Sequence, residues 1–308
     1  MRIKKKDFIE VLDGYNIGRY KSHKYLEDTL ENDVYILFTT QGKFILKFLS
    51  NIDLKDFKEQ LGFIDFLYNK KLPVVKNIKN KVGSEIVEYS KSKFIIQKFV
   101  EGVHPKGFNN SLIKDISKAI GKMHKVLLSS EFTKSKKHKY KKRTFGDGVD
   151  KKIINNIQNK LLKNLDKINF KDLKVARIHG DLSEVNMIVG KNKLNAFIDF
   201  DDSDYDYLVY ELAIFIAHSF IRSDIIYWDK IKLFLDGYQK YVKLNDEEMR
   251  SIYYLIKYRL LGILYWYFKY INKYPKRRQR LNKGIERSYN RIINFEKINN
   301  EGFMEELR

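Results

Sequence analysis

The sequence predicts an α+β protein in which strands are concentrated in the amino-terminal third and helices make up most of the rest. Two runs rich in β-branched and aromatic residues, 34–40 and 43–49, flank the turn Gln41-Gly42 and predict a β-hairpin. From residue 113 onward, apolar side chains recur three and four positions apart, which is the spacing of amphipathic helices. Strands followed by a run of helices are typical of the α+β class.

The other amino-terminal segments supply two helices and further strands. Residues 8–15 predict a short helix and turn. In residues 53–71 the apolar residues recur at helical spacing and predict an amphipathic helix that ends before Pro73. The apolar runs 85–89 and 93–100 predict additional strands.

The carboxy-terminal part is predicted to be helical around one short polar region. The predicted helices cover residues 113–127, 154–165, 207–220, 228–242, 247–270 and 280–297. Between the second and third of these helices, Ile178 predicts the end of a strand, and the runs 187–189 and 196–198 predict two more. A turn at 190–193 joins the last two.

Composition places the chain among globular proteins and excludes several kinds of site. Of the 308 residues 44% are hydrophobic, so the chain is long and apolar enough to bury a substantial core. The absence of cysteine excludes a disulfide framework and a thiolate metal site. The start lacks the apolar core of a signal peptide, and the longest apolar run, Leu260 to Phe268, is too short to span a bilayer. We therefore expect a cytoplasmic protein without a membrane span.

The chain is strongly basic, with 60 Lys and Arg residues against 39 Asp and Glu residues and a net charge of +21. Such a field attracts polyanions, including the phosphates of nucleotides. A compositional bias toward Lys, Asn and Ile is the favoured explanation of the charge. Two dense basic segments, 134–143 and 273–280, predict exposed regions but are weak evidence for nucleic-acid binding, which we do not expect.

A polar stretch from Arg177 to Asp206 carries the residues best suited to chemistry. Asp181 and Asn186 fall in one predicted loop, and Asp199 follows a hairpin strand, so the three side chains can converge. An Asp, an Asn and an Asp are what phosphoryl transfer requires, one group to orient a hydroxyl and two oxygen ligands to hold magnesium. Taken singly, each residue is better explained as a turn former or a strand-end carboxylate.

The joint spacing of this stretch resembles a known family. His179-Gly180-Asp181 is followed by Asn186 five residues after the aspartate and by the segment Ile-Asp-Phe-Asp at 198–201. The pattern resembles the aminoglycoside phosphotransferase and choline kinase family, which are small-molecule kinases of the protein-kinase-like fold. The resemblance implies a bilobal protein.

The implied boundary between the lobes follows the last amino-terminal strand. Residues 1–99 would form a nucleotide-binding lobe with a small antiparallel sheet. Residues 100–308 would form a helix-rich lobe that carries the catalytic loop and the acceptor site.

The resemblance assigns roles to the polar residues. Asp181 would be the catalytic residue that accepts or orients the proton of the acceptor hydroxyl. Asn186 and Asp199 would bind Mg²⁺, with ATP or GTP as the co-substrate.

Four amino-terminal residues are implied to bind the nucleotide. Lys47 would contact the α- and β-phosphates, and Glu59 on the following helix would hold it there. The Lys98 carbonyl and the Val100 amide would bind the adenine edge. Strand pattern alone leaves open that Lys47 faces solvent and that Glu59 belongs to a solvated helix face.

Four further polar residues are candidates for supporting roles. His179 and Gly180 stand where protein kinases have His-Arg, and the missing arginine favours a small-molecule acceptor over a protein. Asp201 and Asp202 would line a pocket for an amine-bearing acceptor such as an aminoglycoside, choline or an amino alcohol like homoserine, unless they form only an exposed acidic turn. Glu211 would support the catalytic loop by hydrogen bonding.

The leading functional interpretation is a Mg²⁺-dependent phosphotransferase that acts on a hydroxyl of a small molecule. The alternative is a non-catalytic, kinase-like structural protein such as a spore-coat component. The sequence leaves open the acceptor, the choice between ATP and GTP, and the oligomeric state.

Overall fold

The structure is a computed structural model that describes residues 4–26, 33–49, 53–89, 92–133 and 140–308. Contacts divide the chain into two compact units. The first contains residues 1–103 together with the short segment 195–198, and the second contains residues 104–194 and 199–308. Each unit is described by itself below.

The first unit contains an antiparallel sheet of five strands in the order β1-β2-β3-β5-β4. The strands are β1 Tyr20–Tyr25, β2 Val34–Thr39, β3 Gly42–Leu49, β4 Val87–Tyr89 and β5 Ser92–Lys98. The predicted hairpin is present, since β2 and β3 pair from Val34 opposite Lys47 to Thr39 opposite Gly42. Strand β1 was not predicted. Its sequence YKSHKY is polar because it forms the edge of the sheet and is mostly exposed.

Two helices, α1 Lys5–Asp13 and α2 Leu54–Asn69, pack on the sheet through separate clusters of apolar residues. Phe8 of α1 belongs to the cluster that contains Leu46 of β3. Phe57 of α2 belongs to a second cluster, which contains Ile95 of β5. Successive residues of a strand point to opposite faces, so the residues of β3 divide between these two clusters.

The second unit is built mainly from helices. They are α3 Asn110–Leu127, α4 Lys151–Leu165, α5 Leu208–Ser219, α6 Trp228–Gln239, α7 Asp246–Ile271, α8 Arg278–Glu296 and α9 Asn300–Glu306. The predicted helices correspond to α3 through α8, whereas the seven-residue α9 was missed because it buries only Phe303. In the part of the chain that the structure describes, no helix is long and apolar enough to cross a membrane.

Helix α5 lies at the centre of the second unit. All of its residues from Leu208 to Ala217 are buried, and it packs against α7. Full burial of a large apolar side chain stabilises a fold by about 1.5–3 kcal/mol, so α5 accounts for a large share of the stability of this unit. Glu211 is the one carboxylate within α5, and it is completely buried.

Two short strand pairs surround the polar stretch. The strands are β6 Val175–Ile178, β7 Met187–Gly190, β8 Lys193–Phe197 and β9 Asp204–Tyr207, with β6 pairing β9 and β7 pairing β8. The predicted turn between β7 and β8 contains Lys191 and Asn192, both with positive φ, as a tight hairpin turn requires. Strand β9 was not predicted, because its sequence DYDY has the composition of a loop.

The described part of the basic segment 134–143 is held by internal contacts. The backbone N–H of Arg143 donates to Oε1 of Gln158 at 2.8 Å, and Nε2 of Gln158 donates to the Arg143 carbonyl at 2.9 Å. The Arg143 guanidinium stacks over the Tyr258 ring at 4.1 Å. Residues 134–139 lie outside the described residues.

A buried histidine in α3 makes the stability of the second unit depend on pH. His124 is fully buried, and its Nδ1 lies 3.0 Å from the Tyr238 hydroxyl on α6. Burial lowers the pKa of His124 to about 3 from 6.5. Above pH 6.5 the ring is neutral in both the folded and the unfolded chain. Below pH 6.5 the histidine is protonated in the unfolded chain but stays neutral in the folded chain. The free energy of unfolding therefore falls as the pH drops toward 3.

We expect this histidine alone to lower the free energy of unfolding by roughly a few kcal/mol between pH 6.5 and pH 3. In His124→Asn the decrease should be smaller by that amount, as measured by urea unfolding at several pH values in this range. His104→Asn, an exchange at an exposed site, is the control. An unchanged pH slope in His124→Asn would contradict the prediction.

Candidate active site

The loop after β6 is held to helix α5 by a buried carboxylate. Oε2 of Glu211 accepts the backbone N–H of His179 at 2.5 Å, and Oε1 accepts that of Gly180 at 3.2 Å. Burial raises the pKa of Glu211 to about 8, while the two N–H donors act in the opposite direction. Residue 211 therefore sets the path of the backbone immediately before Asp181.

Gly180 can be replaced by no other residue without a shift of the backbone. Its φ is +84°, a left-handed conformation that favours glycine. A Cβ atom at this position would lie 2.2 Å from the carbonyl oxygen of Asp202. The loop is thus packed directly against the backbone that follows Phe200.

Contacts on several sides fix the position of Asp181. Nδ2 of Asn186 donates to both the carbonyl oxygen and Oδ2 of Asp181, each at 2.7 Å. A guanidinium nitrogen of Arg259 donates to Oδ1. The Asp181 N–H donates to Nδ1 of the buried His179 at 3.3 Å, and the His179 ring packs on Phe200 with centroids 4.3 Å apart.

Asp181 is nevertheless reachable from solvent, since 26% of its side chain is exposed. Burial raises the pKa of Asp181, and the charge of Asp199 raises it further. The charge of Arg259 and the hydrogen bond from Asn186 oppose these effects. The arrangement holds one carboxylate in a fixed orientation at a surface that a ligand can reach.

Asn186 and Asp199 have features that suit a divalent cation. Because Nδ2 of Asn186 faces Asp181, the amide oxygen Oδ1 points the other way and can serve as a cation ligand. Asp199 has φ +63°, a strained conformation that is found more often at functional sites than elsewhere. The negative charge of Asp199 raises the pKa of Asp181, and a bound cation would offset that charge.

The donor set is one that a hard cation accepts. The described residues contain no group of three or more His, Asp or Glu side chains that could hold a metal ion unaided. Two side-chain oxygens supplemented by phosphate oxygens and water are a typical Mg²⁺ environment. The two residues therefore fit a cation that arrives with a nucleotide.

The acidic run after β8 divides into two parts. Asp201 and Asp202 are exposed, and their predicted place in an acceptor pocket stays a prediction. Asp204 and Asp206 instead lie in β9, opposite Ile178 and Ala176 of β6. The first part of the run therefore precedes β9, and the second part lies within it.

In the first unit, Lys47 is a buried strand residue. It is only 8% exposed and lies in β3 opposite Ile95 of β5. Ile95 belongs to the apolar cluster with Phe57 of α2, so the Lys47 side chain emerges on the α2 face of the sheet. Glu59 lies on α2 at an exposed position, and its predicted pairing with Lys47 stays a prediction.

The residues predicted to bind adenine follow the last strand of the first unit. Lys98 ends β5, and its N–H donates to the carbonyl of Lys76 at 3.0 Å. Val100 comes two residues later, outside the strand. Their contacts with the nucleotide base stay predictions.

Comparison with known proteins identifies the family. Residues 23–241 match the family described as the phosphotransferase enzyme family (APH). The chain belongs to this family. The resemblance predicted from His179, Asp181, Asn186 and Asp199 is confirmed, as is the prediction of a phosphotransferase enzyme.

Individual relatives of this phosphotransferase act on different small molecules. It is 26% identical over 258 residues to a homoserine kinase of Rhodopseudomonas palustris, covering 80% of this chain and 78% of the relative. A microcompartment-associated aminopropanol kinase has a similar fold, with a TM-score of 0.74, 15% identity and coverage of 96% and 97%. The amicoumacin kinase hAmiN, solved with AMP-PNP and Ca²⁺, gives a TM-score of 0.72, 16% identity and coverage of 92% and 93%.

These similar folds confirm the predicted fold class. The chain has the antiparallel sheet in its first unit and the helix-rich second unit that the sequence predicts for a protein-kinase-like protein.

Sequence reasoning missed two residues of this phosphotransferase that lie beside Asp181. Arg259 is separated from Asp181 by 78 positions and His218 is separated from Arg259 by 41, yet all three are in contact. The one available signal was a charge inside an apolar helix, because Arg259 stands between Tyr258 and Leu260 in the 26-residue α7. A charged residue in such a place is expected to have a partner, but the sequence does not say which.

Proposed function

We propose that this phosphotransferase moves the γ-phosphoryl group of ATP or GTP, with Mg²⁺, to a hydroxyl of a small amine-bearing alcohol such as homoserine. The observation that carries the proposal is the Asp181 carboxylate, which is held by Asn186 and Arg259 and remains partly exposed. The similarity to a homoserine kinase supports an acceptor of this size and chemistry.

The chemistry needs few protein groups, because phosphoryl transfer depends on positioning and charge stabilisation. The acceptor oxygen forms a bond to the γ-phosphorus while the bond from that phosphorus to the β,γ-bridging oxygen breaks, and the nucleoside diphosphate leaves. Asp181 orients the acceptor hydroxyl and takes its proton. The fixed loop between His179 and Asn186 keeps this carboxylate in position.

Three residues would interact with the charged phosphates of the nucleotide, directly or through Mg²⁺. Asn186 Oδ1 and the Asp199 carboxylate would hold Mg²⁺, which supplies charge neutralisation on the phosphates when bound. The side chain of Lys47 lies on the α2 face of the sheet and would contact the α- and β-phosphates. The exposed Asp201 and Asp202 would attract the amine of the acceptor.

Nucleotide binding tests the first half of the proposal. We expect AMP-PNP to bind the purified chain with Mg²⁺ and at least about tenfold more weakly without it, because the cation links phosphate to carboxylate. In Asp199→Asn, binding with Mg²⁺ should fall to nearly the level without the cation, as measured by isothermal titration calorimetry. Asp224→Asn, at an exposed site in the second unit, is the matched control.

Acceptor turnover tests the second half. ADP or GDP release should depend on the addition of an amine-bearing alcohol in a screen that includes homoserine, amino alcohols, choline and aminoglycosides. Absence of nucleotide binding in every condition would instead favour the non-catalytic structural role. Nucleotide binding without turnover of any acceptor in the screen would contradict the proposed acceptor class.

A further inference from the structure

A closed ring of side chains links the Asp181 loop to helices α5 and α7. Arg259 donates from one Nη to Asp181 and from Nε to Nε2 of His218 at 3.1 Å. Arg222 donates from Nη1 to the backbone carbonyl of His218 at 3.0 Å and from Nη2 to Oε1 of Glu184 at 2.9 Å. Glu184 follows Asp181 by three residues, which closes the ring.

The ring adjoins a third arginine. Arg291, on α8, donates from Nε to the carbonyl of Ile221 at 2.8 Å and from Nη2 to the carbonyl of Ala217. Burial, and to a smaller extent the charge of Arg222, lower the pKa of Arg291 to about 10. Of the three guanidinium groups, that of Arg259 is bonded to Asp181 and that of Arg222 is bonded to Glu184.

The carboxylates are unevenly distributed among the three arginines of this cluster. Arg259 is bonded to Asp181 and is also acted on by the charge of Asp202, whereas Arg222 and Arg291 share Glu184. His218 stays neutral, because burial and the three neighbouring arginines lower its pKa well below the ordinary value. Its Nε2 accepts a hydrogen bond from Arg259, as the neutral ring can. Positive charge is therefore in excess around Glu184, which Arg222 and Arg291 share.

Two of these arginines can be reached by a ligand. The side chain of Arg222 is 38% exposed and that of Arg259 is 20% exposed. Nε of Arg222 and Nη1 of Arg259 donate no hydrogen bond to any residue that the structure describes. A partly exposed guanidinium that still has N–H donors to offer can bind a planar carboxylate through two parallel hydrogen bonds.

We infer that the acceptor carries a carboxylate in addition to its amine and hydroxyl, and that Arg222 binds this carboxylate. The inference rests on the proposed function and narrows its substrate class to hydroxy amino acids. The site then has both signs of charge that a zwitterion needs, with Arg222 for the carboxylate and the exposed Asp201 and Asp202 for the ammonium group.

Glu184 has a defined part in this inference. Its carboxylate accepts a hydrogen bond from one Nη of Arg222, so an incoming carboxylate would compete with it. Removal of the Glu184 charge should strengthen binding of a carboxylate, whereas removal of the Arg222 charge should weaken it. Two substitutions with opposite expected signs make the test independent of a general loss of folding.

The experiment uses acceptors that differ only by the carboxylate. The pairs are homoserine and 3-amino-1-propanol, serine and 2-aminoethanol, and threonine and 1-amino-2-propanol. Initial rates of ADP or GDP release give kcat and KM for each member with the wild type, Arg222→Gln and Glu184→Gln. Arg287→Gln, which removes an exposed arginine of α8, is the charge-matched control.

For at least one pair, the wild type should show a kcat/KM at least tenfold higher for the amino acid than for its decarboxylated partner. Arg222→Gln should raise KM for the amino acid by about 10- to 100-fold, the usual effect of a lost charge-assisted contact, and leave the partner unchanged. Glu184→Gln should lower KM for the amino acid. Arg287→Gln should change neither.

Equal turnover of both members of every pair would overturn the inference and leave the proposed function intact. An equal loss for both members in Arg222→Gln would also overturn it, since the arginine would then act on the transferred phosphoryl group or on the fold. Turnover of no acceptor with intact nucleotide binding would overturn the proposed acceptor class, and the inference with it.

Discussion

Asp181→Asn is expected to lower kcat by about 10²- to 10⁴-fold, the usual contribution of a general base. The substitution keeps the size of the side chain but removes its capacity to accept the proton of the acceptor hydroxyl. In the wild type both carboxylate oxygens of residue 181 accept hydrogen bonds, one from Asn186 and one from Arg259. The amide that replaces the carboxylate has only one oxygen and can accept from only one of these donors at a time in the same geometry. The measurement is acceptor-dependent ADP or GDP release at saturating nucleotide.

The same variant separates catalysis from binding. AMP-PNP affinity should change by less than about tenfold, because Asp181 is not assigned to the nucleotide or the cation. Asp224→Asn provides the control for removal of a carboxylate from the second unit, and its kcat should match the wild type. Retention of wild-type kcat in Asp181→Asn would show that another group receives the proton.

Glu211→Leu is expected to have the largest effect on stability. It leaves the N–H groups of His179 and Gly180 without an acceptor in a buried region, and each such loss costs about 1–3 kcal/mol. The free energy of unfolding should therefore fall by roughly 2–6 kcal/mol, as measured by urea denaturation. Because these residues precede Asp181, kcat should fall as well.

Glu211→Gln is the matched variant. Its carbonyl oxygen can still accept one of the two N–H groups, so the loss of stability should be about half that of the leucine variant. Its kcat should also lie between those of Glu211→Leu and the wild type. Equal stability of all three proteins would mean that the loop finds other acceptors and that Glu211 does not hold it in place.

Much of the fold could be predicted because local patterns report it. The β2–β3 hairpin followed from two β-rich runs around a short turn, and α3 through α8 followed from apolar spacing. The missed elements are those whose sequences lack such a pattern, namely the polar edge strand β1, the acidic strand β9 and the short α9. Each of these is stabilised by its partner in the fold more than by its own composition.

The candidate site could be predicted in part for a similar reason. His179, Asp181, Asn186 and Asp199 lie within 21 residues of one another, and their spacing is a compound motif. Glu211 stands in α5 at a place implied by the same resemblance, and the structure shows its carboxylate bonded to the loop. These residues are either close together in the sequence or at a position that the family motif implies.

Sequence alone therefore determined the family, the fold class and the identity of the loop that carries Asp181. Only the tertiary structure decided which charges surround that loop. Arg259 lies in α7, His218 in α5 and Arg222 in the segment that follows α5. None of them belongs to a sequence motif, and the fold brings them together. The electrostatic energy of a charged side chain depends on its distance to other charges and on its exposure to water. Neither quantity can be derived from the separation of residues along the sequence.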